Sequence, residues 1–510
     1  MPREMVTIQV GQCGNQIGCR FWELALREHL SSPEKSRMAT STSSQEYDDA
    51  MSSFFANDPP DEDHLYEGWK KTMIGQLRAR AILVDMEESV VDRLQRMPQI
   101  GNLFNNQMRL TDVSGSGNNW AHGFMEYGSK YQEQFLDRVR LSVEECSSIQ
   151  SFFMMHSLGG GTGSGFGSKI LESLEDSFPK ITRFACSVFP NDDDDVITSP
   201  YNALLSANKL IEHADCVFPV DNQALIDICN HIDSHKKKSQ RSTGFRSSSR
   251  MRRQDQQSVT GPDQQSSGDT YHKMNGIAAN MLLDLTASVR FEGTLNMDLS
   301  ELPMNVVPYQ RMHFLSCGLA PLFPPQQTLD ISRNPGSQRA LADMDKSFGS
   351  AHSSPVNQLM RSPVPAKSST YLASAILTRG EGIRVADLER NVKKLQSQVN
   401  MVYWNTEGFK VSMCSRPPVN MPYSILSVSN NCCFRHTLSA MHTKFNRLYK
   451  AKAYVQHYED YGMSRTDFDE ACNNVLGVVS EYATLEGKTH PPANPKRRLK
   501  PVGLNFVPEY

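Results

Sequence analysis

The run Gly159-Gly160-Gly161-Thr162-Gly163-Ser164-Gly165 sits between an apolar stretch, 151–156, and an amphipathic helical pattern that carries Ile170, Leu171 and Leu174. A strand that turns through glycines into a helix points unpaired N–H groups and the positive end of a helix dipole at one spot, a natural seat for phosphate. The flanks narrow the choice. No Lys-Ser or Lys-Thr pair closes the run, and Lys169 follows Ser168 rather than preceding it, so this is not a Walker loop. A dinucleotide turn wants an acidic residue about 20 residues on, at the end of the next strand. The matching strand, 183–189, instead runs into Pro190-Asn191 ahead of Asp192 to Asp195. A mononucleotide cradle fits best, while a dinucleotide turn and a plain loop stay open.

Short apolar runs alternate with helical patterns through the first half: 5–10, then Ile17, Phe21 and Leu24 at helical spacing, then 79–84, 151–156, 184–189 and 216–220. The alternation predicts an α/β fold with a Rossmann-like parallel sheet, whose ligands gather beyond the carboxyl ends of the strands. Polar clusters stand at those ends: 11–16, Asp85-Met86-Glu87, Ser157 with the glycine run, and Asp221-Asn222.

Composition removes several classes. A length of 510 residues suggests about three domains. A formal charge of −3 argues against nucleic acid as the main partner. Eleven scattered cysteines without a CxxC pair or a secretory start point to a reducing compartment. No apolar run approaches the ~20 residues of a membrane helix, and 507–510 carries no lipidation signal, so no membrane role is expected.

Beyond residue 231 the apolar pattern stops, and Ser, Gln, Lys and Arg dominate to about 269, which reads as a disordered basic insertion. A central helix follows, with Met274, Ile277, Ala278, Met281, Leu282, Leu285 and Val289 apolar on most sides. A second α/β unit has candidate strands at 312–319, 369–379, 402–413 and 423–428 and a helix at 385–399; a Pro/Ser-rich stretch, about 332–365, reads as a long loop. Two helical patterns, 434–458 and 467–485, close the chain, ahead of a basic, proline-bearing tail. The expected domains are therefore 1–270 for nucleotide, 271–430 for the central helix and intermediate unit, 431–488 for a helical hairpin, and 489–510 for a disordered tail.

Several residues carry chemistry. Gln12 and Asn15 open a helix after the first strand and serve either as caps or as phosphate holders. Asp85 and Glu87 can hold Mg²⁺, which needs only one or two carboxylates. The turn Gly115-Ser116-Gly117-Asn118-Asn119-Trp120 offers further donors to a γ-phosphate. Asn222 and Asn275 can read a guanine edge through paired donors and acceptors, with Tyr271 stacking on the base. The acidic run 192–195 reads as a solvated loop near the ribose, and Glu301 can orient a water.

Together the segments 11–18, 115–120 and 159–165, Pro200-Tyr201-Asn202 and Arg290-Phe291-Glu292-Gly293 resemble the tubulin family in order and approximate spacing. The segments 19–29, 194–202 and 291–299 look most like the epsilon type within it. The resemblance implies a GTP-binding domain, an intermediate domain and a C-terminal helical hairpin. It places Gln12, Cys13, Asn118, Ser157, Gly160, Gly161, Thr162, Gly163, Asn222 and Asn275 on GTP, Tyr271 on the base and Glu87 near Mg²⁺. Glu301 falls where alpha-type subunits carry the acid that completes hydrolysis of the longitudinal neighbour's nucleotide, and where beta-type subunits carry Lys. The implied partners are other tubulin-family subunits and centriolar or basal-body proteins, in the cytoplasm and cytoskeleton. Departures stand beside these expectations: Ser199 replaces the family's ribose-contacting Glu, the basic insertion has no counterpart in alpha or beta subunits, and Lys496-Arg497-Arg498 stands where they carry an acidic tail.

Overall fold

A computed structural model describes residues 3–30, 47–58, 74–191, 196–243, 262–323, 338–380 and 383–487. Strand β1 (Glu4–Val10) leads directly into helix α1 (Gly11–Leu30). A small antiparallel pair, β2 (Phe55–Asp58) and β3 (Gln76–Ala79), precedes β4 (Ala81–Asp85), helix α2 (Glu88–Gln95) and the short β5 (Arg109–Thr111). Helix α3 (Gly128–Glu144), β6 (Ile149–Ser157), α4 (Gly167–Ser177), β7 (Thr182–Phe189), α5 (Ser199–His213) and β8 (Cys216–Asp221) complete the first domain's alternation. Its six strands run in the order β5-β4-β1-β6-β7-β8, and every pairing is parallel.

Such a sheet is covered on both faces, which is why its strands read as apolar runs. Val6, Ile8, Val10, Phe152 and Met154 face the core beneath α3, α4, α5 and the C-terminal helices. Met5, Phe153 and Met155 face the opposite core, with Ile17, Phe21 and Trp22 of α1. From β1 the chain goes to β4 on one side and from β6 to β7 on the other, so the connections leaving these neighbouring strands run in opposite directions at their carboxyl ends. That topological switch point is where a ligand crevice opens.

Helix α6 (Asn222–Thr243) and the central helix α7 (Pro262–Leu285) both run into the stretch expected to be a disordered insertion. Lys, Gln and Arg are good helix formers, so a polar composition removed the apolar signal without removing the helix. Leu225, Ile228 and Cys229 anchor the first turns of α6, and Pro262 begins α7 where proline is tolerated. Residues 244–261, the acidic run 192–195 and the tail 488–510 lie outside the described residues.

After the short helix α8 (Glu301–Val306) comes a mixed sheet of β9 (Ser316–Ala320), β10 (Thr370–Gly380), β11 (Asn400–Met401), β12 (Phe409–Cys414) and β13 (Tyr423–Asn431). β10 pairs with β13 antiparallel and with β12 parallel, and β13 pairs with β9. Helix α9 (Gln338–Ser353) occupies the middle of the expected long loop, which is a correction. Met344, Phe348 and Ala351 recur at helical spacing and pack against Ile376, Tyr423 and Ile425, a signal masked by the surrounding serines and prolines. Helix α10 (Val385–Gln396) lies on the same face, with Leu388 and Leu395 in that core.

Met281 of α7 shares one core with Phe153 of the first sheet and Leu426 of the second, so the central helix is sandwiched between them. Helices α11 (Phe434–Lys450) and α12 (Arg465–Leu485) then cross the first domain's other face. The pattern expected to run through 458 breaks at Lys452 and Tyr454, whose φ angles are +51° and +60°.

Candidate functional site

The crevice is built where the chain leaves the carboxyl ends of β1 and β6. Gly11 adopts φ +72°, which turns the chain from strand to helix in one step. A Cβ placed there would lie 3.1 Å from the Gly163 nitrogen, so the loop after β1 touches the glycine run after β6. Asn15 is fully buried and donates to the carbonyls of Gly11 at 3.0 Å and Val84 at 3.1 Å. It ties the start of α1 to strand β4. Gln12 beside it is exposed, and Cys13 is half-buried with its thiol pushed up to about 12 by burial.

The glycine run forms one wide helical turn, Thr162–Phe166, that feeds α4. His156, fully buried, fixes its position. The Gly163 carbonyl, 2.8 Å from Nδ1, can only accept, so Nδ1 carries the proton and Nε2 accepts from the Ser187 hydroxyl at 2.8 Å. Burial lowers this imidazole to about 4, and the ring stays neutral. At the surface of the turn, a Cβ on Gly160 would lie 3.8 Å from both the Ser157 hydroxyl and the Asn118 side-chain oxygen. Ser157, Asn118 and Gly160 therefore face one spot.

The turn carrying Asn118 is held by positive φ at Gly115, Gly117 and Asn118. The Gly115 amide donates to Met86 at 2.8 Å, and the Ser116 and Thr162 hydroxyls are 2.9 Å apart. A Cβ on Gly161 would collide with the Ser116 hydroxyl and lie 2.7 Å from the Asn119 nitrogen. Asn119 points away, donating to His457 at 2.7 Å.

Sequence reasoning missed the organising residue, Asn202 on α5. Its amide donates to the carbonyls of Asn118 and Gly159, both at 2.8 Å, and its oxygen accepts from the Trp120 nitrogen at 3.0 Å and the Tyr458 hydroxyl at 2.6 Å. One buried side chain thus joins both loops to the C-terminal segment. Only its place in Pro200-Tyr201-Asn202 flagged it, without a role. Ser199, at the start of the same helix, is buried.

Asp85 ends β4, and Glu87 follows in the loop after it. Asp85 is buried, its Oδ2 has no hydrogen-bond partner, and desolvation raises its carboxyl to about 7. Glu87 is exposed, its amide donates to Asp85 Oδ1 at 3.3 Å and its carboxylate accepts from Ser89 at 2.9 Å. A buried carboxylate oxygen without a donor beside a second acid fits Mg²⁺, which takes few protein ligands and fills its shell with water and phosphate. Among the described residues no group of three or more His, Cys, Asp or Glu gathers, as a dedicated all-protein metal cage would require.

Other expected residues stand on different walls. Asn222 begins α6 directly after β8 and is half-buried. Half-buried Asn275 and Tyr271, 58% exposed, lie on α7, which packs along α1 through Met274, Ile277 and Ala278.

Glu301 lies elsewhere. It opens α8, where Lys410 donates to its Oε2 and the Asp298 amide to its Oε1. Asp298 pairs with Arg3 at 2.9 Å. Arg3 immediately precedes β1 and Gly11 immediately follows it, so at ~3.3 Å per residue the Glu301 cluster and the crevice are about 25 Å apart, at opposite ends of one strand.

Comparison with known proteins matches this architecture. Residues 4–230 match the Tubulin/FtsZ family GTPase domain, and residues 310–443 the tubulin C-terminal domain. The chain is 42% identical over 499 residues to the tubulin epsilon chain of Homo sapiens, covering 97% of this chain and 99% of the relative. The tubulin epsilon chain of Mus musculus is 41% identical over the same shares. The tubulin beta-1 chain of Homo sapiens is 31% identical, over 95% of this chain and 94% of the relative.

Proposed function

This chain belongs to the tubulin family, and we propose that it is an epsilon-like, GTP-binding cytoskeletal subunit that supports microtubule triplets of centrioles or basal bodies. The GTPase-domain match sets aside the dinucleotide reading and implies a guanine nucleotide. In this reading Gln12, Cys13, Asn118, Ser157 and Gly160–Gly163 hold the phosphates, Asn222 and Asn275 read the guanine, Tyr271 stacks on its face, and Glu87 with Asp85 would hold Mg²⁺. When bound, Mg²⁺ neutralises developing charge on the phosphates.

One observation supports a split site above all others: Glu301 and the crevice stand at opposite ends of β1. A chain built this way cannot bring its own acid to its own nucleotide, whereas head-to-tail stacking brings one subunit's Glu301 to the next subunit's phosphates. Such heterologous contacts generate filaments. Glu301 then orients a water whose oxygen bonds to the γ-phosphorus as the bond to the β–γ bridging oxygen breaks. Both of the water's protons leave on inorganic phosphate, and the bridging oxygen keeps the bond pair as a terminal oxygen of GDP. Tubulin relatives imply tubulin-family partners for this chain.

Mixing the purified chain with candidate partner subunits tests the reading. Hydrolysis should rise on mixing and fall with Glu301→Gln in this chain. Imaging of a tagged chain tests its place: labelling confined to centrioles or basal bodies supports the proposal, while labelling along all cytoplasmic microtubules favours an ordinary lattice subunit.

A further inference from the structure

Glu301 is already engaged within its own subunit. Lys410 of β12 donates to its carboxylate, an ion pair that holds Glu301 below the usual carboxylate range. Backbone hydrogen bonds set this alignment. The Leu295 amide donates to Met413 at 3.4 Å, the Met413 amide returns to Leu295 at 2.9 Å, and the Ser412 hydroxyl donates to Leu295 at 3.1 Å. The loop leading to Glu301 is thereby stapled to the strand that presents Lys410.

The pair is half-exposed, at 29% for Lys410 and 36% for Glu301, so it is weak enough to exchange partners. On the same helix as Glu301, Met304 is 81% exposed, and the exposed rings of Tyr309, three residues beyond α8, and Trp404, six residues before Lys410, meet edge to face at 6.0 Å. Exposed apolar and aromatic side chains beside charges mark a contact surface. A carboxylate carried alone toward a triphosphate would meet like charge, which opposes association. A neighbouring ammonium with three donors on a flexible stem removes that obstacle.

We propose that Lys410 is a positioning residue of the split site: it holds Glu301 in the free subunit and, on stacking, moves to the terminal phosphate of the neighbour's nucleotide, leaving Glu301 to orient the water. This rests on the reading that Glu301 meets a neighbouring nucleotide. The exchange makes and breaks no covalent bond, and the lysine proton stays in place.

Amine-directed labelling of the full chain, read at Lys410 by mass spectrometry, tests it. In the free chain Glu301→Gln should raise the labelling rate about two- to fivefold, the range expected for an exposed pair. In assemblies with partner subunits, Lys410 should be better protected when they hold a non-hydrolysable GTP analogue than when they hold GDP. Labelling that ignores both Glu301→Gln and the terminal phosphate overturns the proposal. Lys410→Met should lower partner-stimulated hydrolysis about tenfold, the loss of one charge-assisted contact, with Lys410→Arg recovering part of it. Equal loss in both variants counts against the exchange. If the split-site reading itself is wrong, hydrolysis will not respond to Glu301→Gln either.

Discussion

The hydroxyls of Ser116 and Thr162 meet at 2.9 Å, joining two loops 46 residues apart in the chain. Each is set by the other, and Asn202 ties both to the helix behind them. The crevice is therefore a product of tertiary contact, and substitutions that separate the loops should remove ligand binding before they unfold the protein.

Gly161→Ala is the sharpest test of that contact. Its methyl would collide with the Ser116 hydroxyl and crowd the Asn119 backbone. Overpacking of this kind costs about 1–3 kcal/mol, so nucleotide retention should fall about ten- to a hundredfold. Bound nucleotide measured after gel filtration, beside a melting curve, separates lost binding from lost fold.

Tyr458→Phe removes the 2.6 Å hydrogen bond to Asn202 and leaves the ring in place. Stability should drop by about 1 kcal/mol, and nucleotide should dissociate faster, because Asn202 holds both phosphate loops. Urea denaturation and stopped-flow release of a fluorescent nucleotide report the two effects.

A buried charge cluster joins the domains. Burial pushes Glu28 up, but Arg290 at 2.7 Å and Arg379 at 3.1 Å more than reverse this and keep it ionised. Arg379 also pairs with Asp284 of the central helix at 3.3 Å. Arg290→Met leaves the buried Glu28 carboxylate with Arg379 alone, which Asp284 also shares, and should cost about 3–5 kcal/mol, whereas adding Glu28→Gln should restore part of the loss. Denaturant midpoints of the single and double variants check both.

His156 gives the fold an acid limit. Its pKa falls from 6.5 unfolded to about 4 folded, so between these values the unfolded chain binds the extra proton. Its contribution is complete above about pH 6.5 and is lost as pH falls toward 4, up to about 3 kcal/mol. Asp284, raised by burial to about 6, acts with the opposite sign in part of this window. Comparing wild type with His156→Asn at pH 7 and pH 5 isolates the histidine: the wild type should lose more stability on acidification.

Much of the fold was legible in the sequence, because strands buried on both faces, such as β1 and β6, read as apolar runs. Helix α9 was not, since Met344 and Phe348 lie among serines and prolines that suggest a loop. The polar ends of α6 and α7 were obscured because helix formation in Lys- and Gln-rich sequence leaves no apolar period. The positions of the phosphate-loop residues were legible as motifs, but their fixing partners were not. Tyr458 is 256 residues from Asn202. Lys410 is 109 residues from Glu301, and only the folded chain shows that Lys410 already holds that carboxylate.

Extraction of the 510-residue protein, purified in Mg²⁺, followed by chromatographic identification of what it carries, decides whether the crevice is a guanine-nucleotide site. A guanine nucleotide is expected, retained by the wild type and largely lost from Gly161→Ala. Protein that is folded yet empty of guanine nucleotide, or that carries a nicotinamide dinucleotide instead, would contradict it.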